Sequence, residues 1–179
     1  AVDAVQASGT IELTSSIALS DQVTIDSGKT IILDMNGETL SIGFSDSSKN
    51  LIVNNGTLTI TGDGTFDATE ATSYKGFINN YGTLTVENGT FQIADKAMTV
   101  HLRNQDGGKA VINGGTFSGG ATIVRSFEGS NTTITGGSFT NSVYPAVDVN
   151  GETLITGGIF TNTSCSRCDS QNWGYTVRS

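Results

Sequence analysis

The sequence contains little of what several protein classes require. Its 179 residues include one proline, two cysteines, one histidine and nine lysines and arginines, against seventeen acidic residues, for a net charge of −8. An acidic chain without a basic cluster is a poor partner for a nucleic-acid backbone. No apolar run reaches the roughly 18 residues of a membrane span, and no signal peptide is visible. We therefore expect neither a nucleic-acid partner nor a membrane span in this chain.

The residues that are abundant favour short strands and tight turns. Thr, Ser, Asn and Gly dominate, with 23 glycines, while the residues that long helices need are sparse. β-Branched residues alternate with polar ones and are punctuated by Gly, Asn and Asp, which predicts many short strands. Regularly placed Ile, Val, Leu and Phe can bury a core, which argues against disorder.

One short phrase recurs five times along the chain. It reads NGTLTITGDGTF, YGTLTVENGTF, KAVINGGTF, NTTITGGSF and ETLITGGIF, and it ends at Phe66, Phe91, Phe117, Phe139 and Phe160. The steps between these phenylalanines are 25, 26, 22 and 21 residues. A propeller blade needs about 40 residues, whereas parallel β-solenoid coils have the observed length. The repeat predicts an all-β fold, a single right-handed parallel β-helix with coils of about 21–26 residues.

Within each phrase, residues alternate between the two faces of a strand. One inward column is Val86, Ile112, Ile134 and Ile155, joined by Ile60 if Asp63 is a one-residue insertion. A second is Leu58, Leu84, Ala110, Thr132 and Thr153. The corner glycines, at which we expect φ > 0, are Gly64, Gly89, Gly115, Gly137 and Gly158. The opposite face is mostly polar, so these columns and the phenylalanines are expected to form the core.

A second short strand is predicted between successive phrases. Its inward column comprises Ile52, Ile78, Val100, Val124 and Val147. The outward neighbours of the last four are Asn79, His101, Arg125 and Asp148, with Arg103 at the edge. We expect these side chains to form a ladder that binds a sugar or an acidic group, or that assists acid–base chemistry. A solvated strand face with ordinary cross-strand pairs is the competing interpretation.

The N-terminal third is less regular but still predicts short strands. We expect strands at Ile11–Leu13, Val23–Ile25, Ile31–Met35 and Thr39–Ile42, with turns at Asp26–Lys29 and Asn36–Gly37. We interpret residues 1–179 as one domain. Residues 1–42 form the N-terminal cap and first coils, 43–161 the regular coils, and 162–179 a C-terminal cap or the start of a further segment.

Both cysteines lie in the stretch SCSRCDSQNWGY. The βαβ setting of a redox motif is absent, and a zinc site needs two more ligands. We expect a disulfide between Cys165 and Cys168, as in exported proteins, with free thiols as the alternative. Trp173 and Tyr175 form either a sugar-stacking platform or a hydrophobic lid on the last coil.

The sequence also contains an acidic loop and many outward threonines. Asp63 and Asp67 lie with Glu70 in TGDGTFDATE, where a weak Ca²⁺ site competes with a plain acidic loop and is left open. We otherwise predict no metal and no cofactor. An ice-binding face needs a regular ladder of outward threonines, and here that ladder is interrupted by other residue types.

The stretch VTIDSGKTIILDMNGETLSI (Val23–Ile42), followed by the five phrases, resembles the right-handed parallel β-helix regions of large bacterial surface proteins. Such regions are similar in fold to pectate lyases and polygalacturonases, the pectin-lyase-like fold. The likeness extends from about Thr10 to Thr161. It implies a secreted or cell-surface location and an adhesin-like module without catalysis, with a glycan or a host or cell-surface protein as partner.

The resemblance also leaves alternatives open. A polysaccharide-active lyase or glycoside hydrolase of the same fold is one, and a protein-interaction or structural stalk is another. The paired aspartates and Gly-His-Gly stretch of polygalacturonases are missing from this sequence. Its acidic residues are scattered, whereas pectate lyases place acidic residues on calcium. We therefore expect a protein that is not an enzyme.

Overall fold

The computed structural model of the protein describes residues 2–70, 76–94, 99–141, 144–162 and 177–178. These residues form a parallel β-solenoid of about six turns, with 54% strand and 2% helix, which confirms the fold predicted from the repeat. The one helix among the described residues is a 3-10 turn at Val2–Ala4. No helix in the described part of the chain is long and apolar enough to cross a membrane.

Each coil contributes one strand to each of three parallel sheets, A, B and C. Sheet A contains β1 (Ser8–Glu12), β4 (Thr30–Asp34), β7 (Thr57–Thr61), β10 (Thr83–Val86), β13 (Lys109–Ile112), β16 (Asn131–Ile134) and β19 (Glu152–Ile155). Sheet B contains β2 (Ile17–Leu19), β5 (Thr39–Ile42), β8 (Thr65–Ala68), β11 (Thr90–Ile93), β14 (Thr116–Ser118), β17 (Ser138–Asn141) and β20 (Ile159–Asn162). Sheet C contains β3 (Val23–Ile25), β6 (Ile52–Asn54), β9 (Gly76–Asn80), β12 (Val100–Asn104), β15 (Thr122–Ser126), β18 (Val147–Val149) and β21 (Val177–Arg178).

The less regular N-terminal strands belong to the same three sheets. The predicted strands at Val23–Ile25 and Thr39–Ile42 are confirmed to the residue, and the other two differ only at their ends. Sequence reasoning missed β2. Asn36 and Gly37 have φ of 47° and 79°, which confirms the turn predicted there.

Equivalent residues stack in register along the core. Leu58 pairs with Leu84, and Ile60 pairs with Val86, which confirms that Asp63 is an insertion. The five phenylalanine rings that end the phrases stack almost in parallel, with successive centroids 4.7, 4.5, 5.0 and 4.7 Å apart. Each stacked pair contributes about 0.5–1.5 kcal/mol beyond the burial of apolar area. Sheet B is thereby fixed in register from coil to coil.

Positive φ at the corner glycines is confirmed for four of the five. The values are 111°, 98°, 103° and 103° at Gly89, Gly115, Gly137 and Gly158. In the first regular coil the positive φ lies at Gly62 instead of Gly64. The inserted Asp63 moves the turn by two residues, and Gly64 is packed so closely on Met35 that a Cβ there would collide with it.

A column of buried asparagines, which sequence reasoning missed, runs along the inner side of sheet C. The Nδ2 atom of Asn54 donates to Oδ1 of Asn80 at 2.7 Å, and Nδ2 of Asn80 donates to Oδ1 of Asn104 at 2.8 Å. Asn104 then donates to Oγ1 of Thr132 at 2.9 Å, which satisfies this threonine at its core position. Because buried amides must be paired, the column holds successive coils at a fixed offset. Asn79 and Arg103, which directly precede Asn80 and Asn104 in the chain, belong to the candidate site.

Candidate functional site

The outer face of sheet C carries a column of polar side chains. Asn79 of β9 pairs with Arg103 of β12, and Arg103 pairs with Arg125 of β15. Arg125 in turn pairs with Asp148 of β18. These four residues are called the outer column below. Four of the five residues predicted to bind a ligand are thus brought together on consecutive coils.

The fifth residue, His101, is not on this face, so its predicted place in the ladder is wrong. Its side chain is 1% exposed, and its ring lies 5.6 Å from that of Phe77 and 6.0 Å from that of Phe117. The partner of Ile78 in the sheet is Leu102, so the predicted column, which places Val100 beside Ile78, is two residues out of register. The segment that precedes β12 differs in length from the corresponding segments of the neighbouring coils. The repeat alone therefore could not predict the register of β12.

The strict alternation of faces also fails where the chain enters sheet C. Two consecutive residues are buried there in the five coils from β6 to β18, as in Phe77–Ile78 and Ile123–Val124. The carbonyl oxygen of Ala146 accepts from the amides of both Ile123 and Val124, at 3.0 and 2.9 Å, which is the hydrogen bonding of a bulge. His101 occupies the first of these two inward positions.

Burial determines the chemistry of His101. Desolvation lowers its pKa from 6.5 to about 4, outweighing its hydrogen bonds to the backbone. Nε2 lies 3.1 Å from the carbonyl oxygen of Ser118 and donates a hydrogen bond to it. The imidazole is neutral at pH 7 and serves the core, so it supplies no acid or base to the outer column.

Two guanidinium groups of the outer column share one aromatic ring. The Cζ atoms of Arg103 and Arg125 each lie 5.2 Å from the centroid of the Phe127 ring. Cations at this distance over an aromatic face are attracted by its quadrupole, by about 0.5–1 kcal/mol at exposed sites. Arg103, Arg125 and Phe127 are called the arginine cluster below.

Asp148 contacts Arg125 and helps to position this member of the arginine cluster. Its Oδ2 atom lies 3.3 Å from Nε of Arg125, and the side chains are 8% and 42% exposed, respectively. The Nε–H bond is not aligned with the oxygen as a hydrogen bond requires, so the contact is an ion pair. The nearly buried carboxylate of Asp148 therefore restrains the more exposed guanidinium of Arg125.

The two arginines also influence each other. The pKa of Arg103 is lowered, first by burial and then by the positive charge of Arg125, while Tyr81 acts in the opposite direction. A guanidinium nevertheless stays protonated at any physiological pH. The fold therefore holds two like charges close together on the same face.

A second column flanks the outer column on its C-terminal side. Its members are Tyr81, Gln105, Phe127 and Asn150, each two residues after a member of the outer column. Asn79 donates to the hydroxyl of Tyr81 at 3.3 Å, and Gln105 donates to Oδ1 of Asn79. Tyr81 is 48% exposed. Sequence reasoning missed this flanking column, although the two-residue period of the strand, continued past its end, would have found it.

The other predicted sites receive different outcomes. Asp63 accepts a hydrogen bond from Asn88, and Oδ1 of Asp67 accepts from the amide and hydroxyl of Thr69 at 2.9 and 2.7 Å. Among the described residues, no group of three or more His, Cys, Asp or Glu side chains is placed to hold a metal ion. Cys165 and Cys168, for which a disulfide was predicted, lie outside the described residues, as do Trp173 and Tyr175.

Comparisons with protein-family models, curated proteins and solved structures gave no match to the chain. The β-solenoid is shown by the structure itself. The resemblance to the pectin-lyase-like regions of bacterial surface proteins stays a prediction.

The site combines donors, acceptors, positive charge and aromatic rings on one rigid face. The strands of sheet C carry a single carboxylate on this face among the described residues, Asp148, and it contacts Arg125. These groups can hold a polar ligand through hydrogen bonds and charge.

Proposed function

We propose that the protein is a non-catalytic, adhesin-like module of a secreted or cell-surface protein, and that the outer face of sheet C binds glycans. The observation that carries the proposal is the pairing of the outer column with the flanking column. Together they present amide, guanidinium and aromatic groups in register over four consecutive coils. Sugars offer many hydroxyl groups and apolar ring faces, and such a surface complements both.

The spacing of these side chains favours an extended ligand. Successive coils rise by about 4.8 Å, the distance between neighbouring strands, so equivalent groups repeat along the solenoid axis. A polysaccharide lying along this axis meets a new set of polar groups at every coil. Tyr81, the most exposed aromatic residue of the face, is available to pack against a sugar ring.

The rigidity of the face also supports binding. Asn80 and Asn104 are fully buried, and they immediately follow Asn79 and Arg103 in the chain. Their hydrogen bonds fix the backbone from which the outer column projects. A surface that is already ordered loses little conformational entropy on binding, which favours affinity.

A glycan array, combined with an assay for new reducing ends on polysaccharides, tests the proposal. We expect binding to a subset of glycans and no release of reducing ends. Asn79→Ala should weaken binding, whereas Asn113→Ala, which changes an exposed asparagine beyond sheet A, should not. Release of reducing ends would establish the polysaccharide-active enzyme instead. Failure to bind any glycan would leave the stalk or protein-interaction module.

A further inference from the structure

We infer that the arginine cluster is an anion subsite, so that this face selects glycans bearing carboxylate or sulfate groups over neutral ones. The inference rests on the proposed glycan-binding function and names the class of glycan. Its basis is the placement of two guanidinium groups from neighbouring strands against the single ring of Phe127, in a protein whose overall charge is strongly negative.

The electrostatics of the cluster favour a bound anion. Both Cζ atoms lie 5.2 Å from one ring centroid, so they are no more than about 10.4 Å apart (twice 5.2 Å). The two like charges lie on neighbouring strands and repel each other, and the pKa of Arg103 is lowered by burial and further by the charge of Arg125. An anionic group near both guanidiniums would relieve this repulsion, whatever other contacts each of them makes.

The shape of the cluster is set before any ligand arrives. Gly76 is packed against the stem of Arg103, because a Cβ at this glycine would lie 3.2 Å from Cδ of the arginine. Phe127 contacts both guanidiniums, and Asp148 holds Arg125 through Nε, the guanidinium nitrogen nearest the chain. The terminal nitrogens lie beyond Nε, where they can make the paired hydrogen bonds that carboxylates and sulfates accept.

The overall charge of the protein makes this inference specific. With a net charge of −8, the long-range field of the protein repels polyanions. Preference for an acidic glycan would therefore have to come from a local site. The exposed Lys109 lies on the outer face of sheet A and offers a matched control, since it carries the same charge on a different sheet.

The test compares three polymers with one backbone: dextran, carboxymethyl dextran and dextran sulfate. We expect the parent protein to bind at least one charged dextran more tightly than dextran, and the preferred polymer identifies the anion. Arg103→Gln should weaken that binding about tenfold, the typical effect of losing one charge-assisted contact. Lys109→Gln should change it by less than about twofold. Arg103→Lys should fall between parent and Arg103→Gln, because lysine keeps the charge but not the planar fork.

Two results would overturn the inference. One is that the parent shows no preference for either charged dextran over dextran. The other is that Arg103→Gln and Lys109→Gln have equal effects, since overall charge would then be responsible. Neither result decides the proposed function, because neutral glycans on the array test that separately. Thermal unfolding of Arg103→Gln serves as the folding control, and an outward side chain is expected to leave it nearly unchanged.

Discussion

Asp148 is nearly buried, yet its partner Arg125 is not: their side chains are 8% and 42% exposed, and Oδ2 lies 3.3 Å from Nε. Replacing either residue should therefore change the stability of the protein by a different amount. Arg125→Gln takes the Arg125 guanidinium away from a nearly buried carboxylate, whatever other contacts that carboxylate keeps, whereas Asp148→Asn leaves an arginine that water can reach. We expect Arg125→Gln to lower the free energy of unfolding more than Asp148→Asn does. Urea unfolding measures both, and the double variant should recover part of the loss. A larger loss for Asp148→Asn would contradict this order.

The register of sheet A can be tested at two adjacent residues. Ile112 is fully buried, while Val111 belongs to the outer face and is only partly buried. Ile112→Asp should destabilise the protein by about 3 kcal/mol or more, because it buries an unpaired charge. Val111→Asp should cost far less. Denaturant unfolding distinguishes them, and equal losses would show that the assigned faces are wrong.

The asparagine column should contribute strongly to stability. Asn80→Ala removes the acceptor of Asn54 and the donor to Asn104, and it leaves buried polar atoms unpaired. At about 1–3 kcal/mol for each orphaned group, a total loss of about 3 kcal/mol is expected. Asn113→Ala, at an exposed asparagine, should stay within about 0.5 kcal/mol of the parent. Comparable urea midpoints for the two variants would argue against a structural role for the column.

His101 should make stability depend on pH below neutrality. Its pKa is about 4 in the folded protein and 6.5 when unfolded, so the unfolded chain binds the proton more readily. The associated stability is fully present above pH 6.5 and is lost as pH falls towards 4, by up to about 3 kcal/mol. Phe77 occupies the position equivalent to His101 in the preceding coil, so His101→Phe should be accommodated. This variant should lose the dependence of stability on pH between pH 4 and 6.5. Parallel profiles for parent and variant between pH 4 and 6.5 would rule out this contribution.

The cysteines remain a prediction from the sequence. If Cys165 and Cys168 form a disulfide, the purified protein should not react with a thiol reagent under native, non-reducing conditions. Stoichiometric labelling would reject the disulfide. Elemental analysis should find no zinc, because a zinc site requires more ligands than these two residues supply.

The repeat predicted the fold because each coil of a β-solenoid places equivalent residues at equivalent positions. The columns through Leu58 and Ile60 could therefore be recognised from the spacing of apolar residues in the sequence, and the structure shows them paired in register. Even the insertion at Asp63 could be located, since the residues on either side of it kept their columns. The short strand β2 was missed because its three residues, only one of them partly buried, carry no recognisable pattern.

The candidate site was predicted less completely, for reasons that lie in the turns. The position of His101 depends on the length of the preceding loop and on a bulge, neither of which the phrases encode. The flanking column was missed because Tyr81 and Phe127 lie just past the ends of their strands, and the prediction considered only residues within the strands. The asparagines at 54, 80 and 104 were not singled out, because the sequence alone does not show that their amides pair across coils.

The in-register pairing also determines how the protein can change in length. Thr83 pairs with Thr57 on one side and with Lys109 on the other, so residues 83–108 make up one complete coil. Removing these 26 residues would join Gly82 to Lys109 at an equivalent position and would bring the neighbouring coils together with every column intact. Duplicating them would lengthen the structure in the same way. The reach of the protein, and the number of groups along its outer face, can therefore be altered only in whole coils, and genetic duplication or loss of a single repeat is a ready route to such variants.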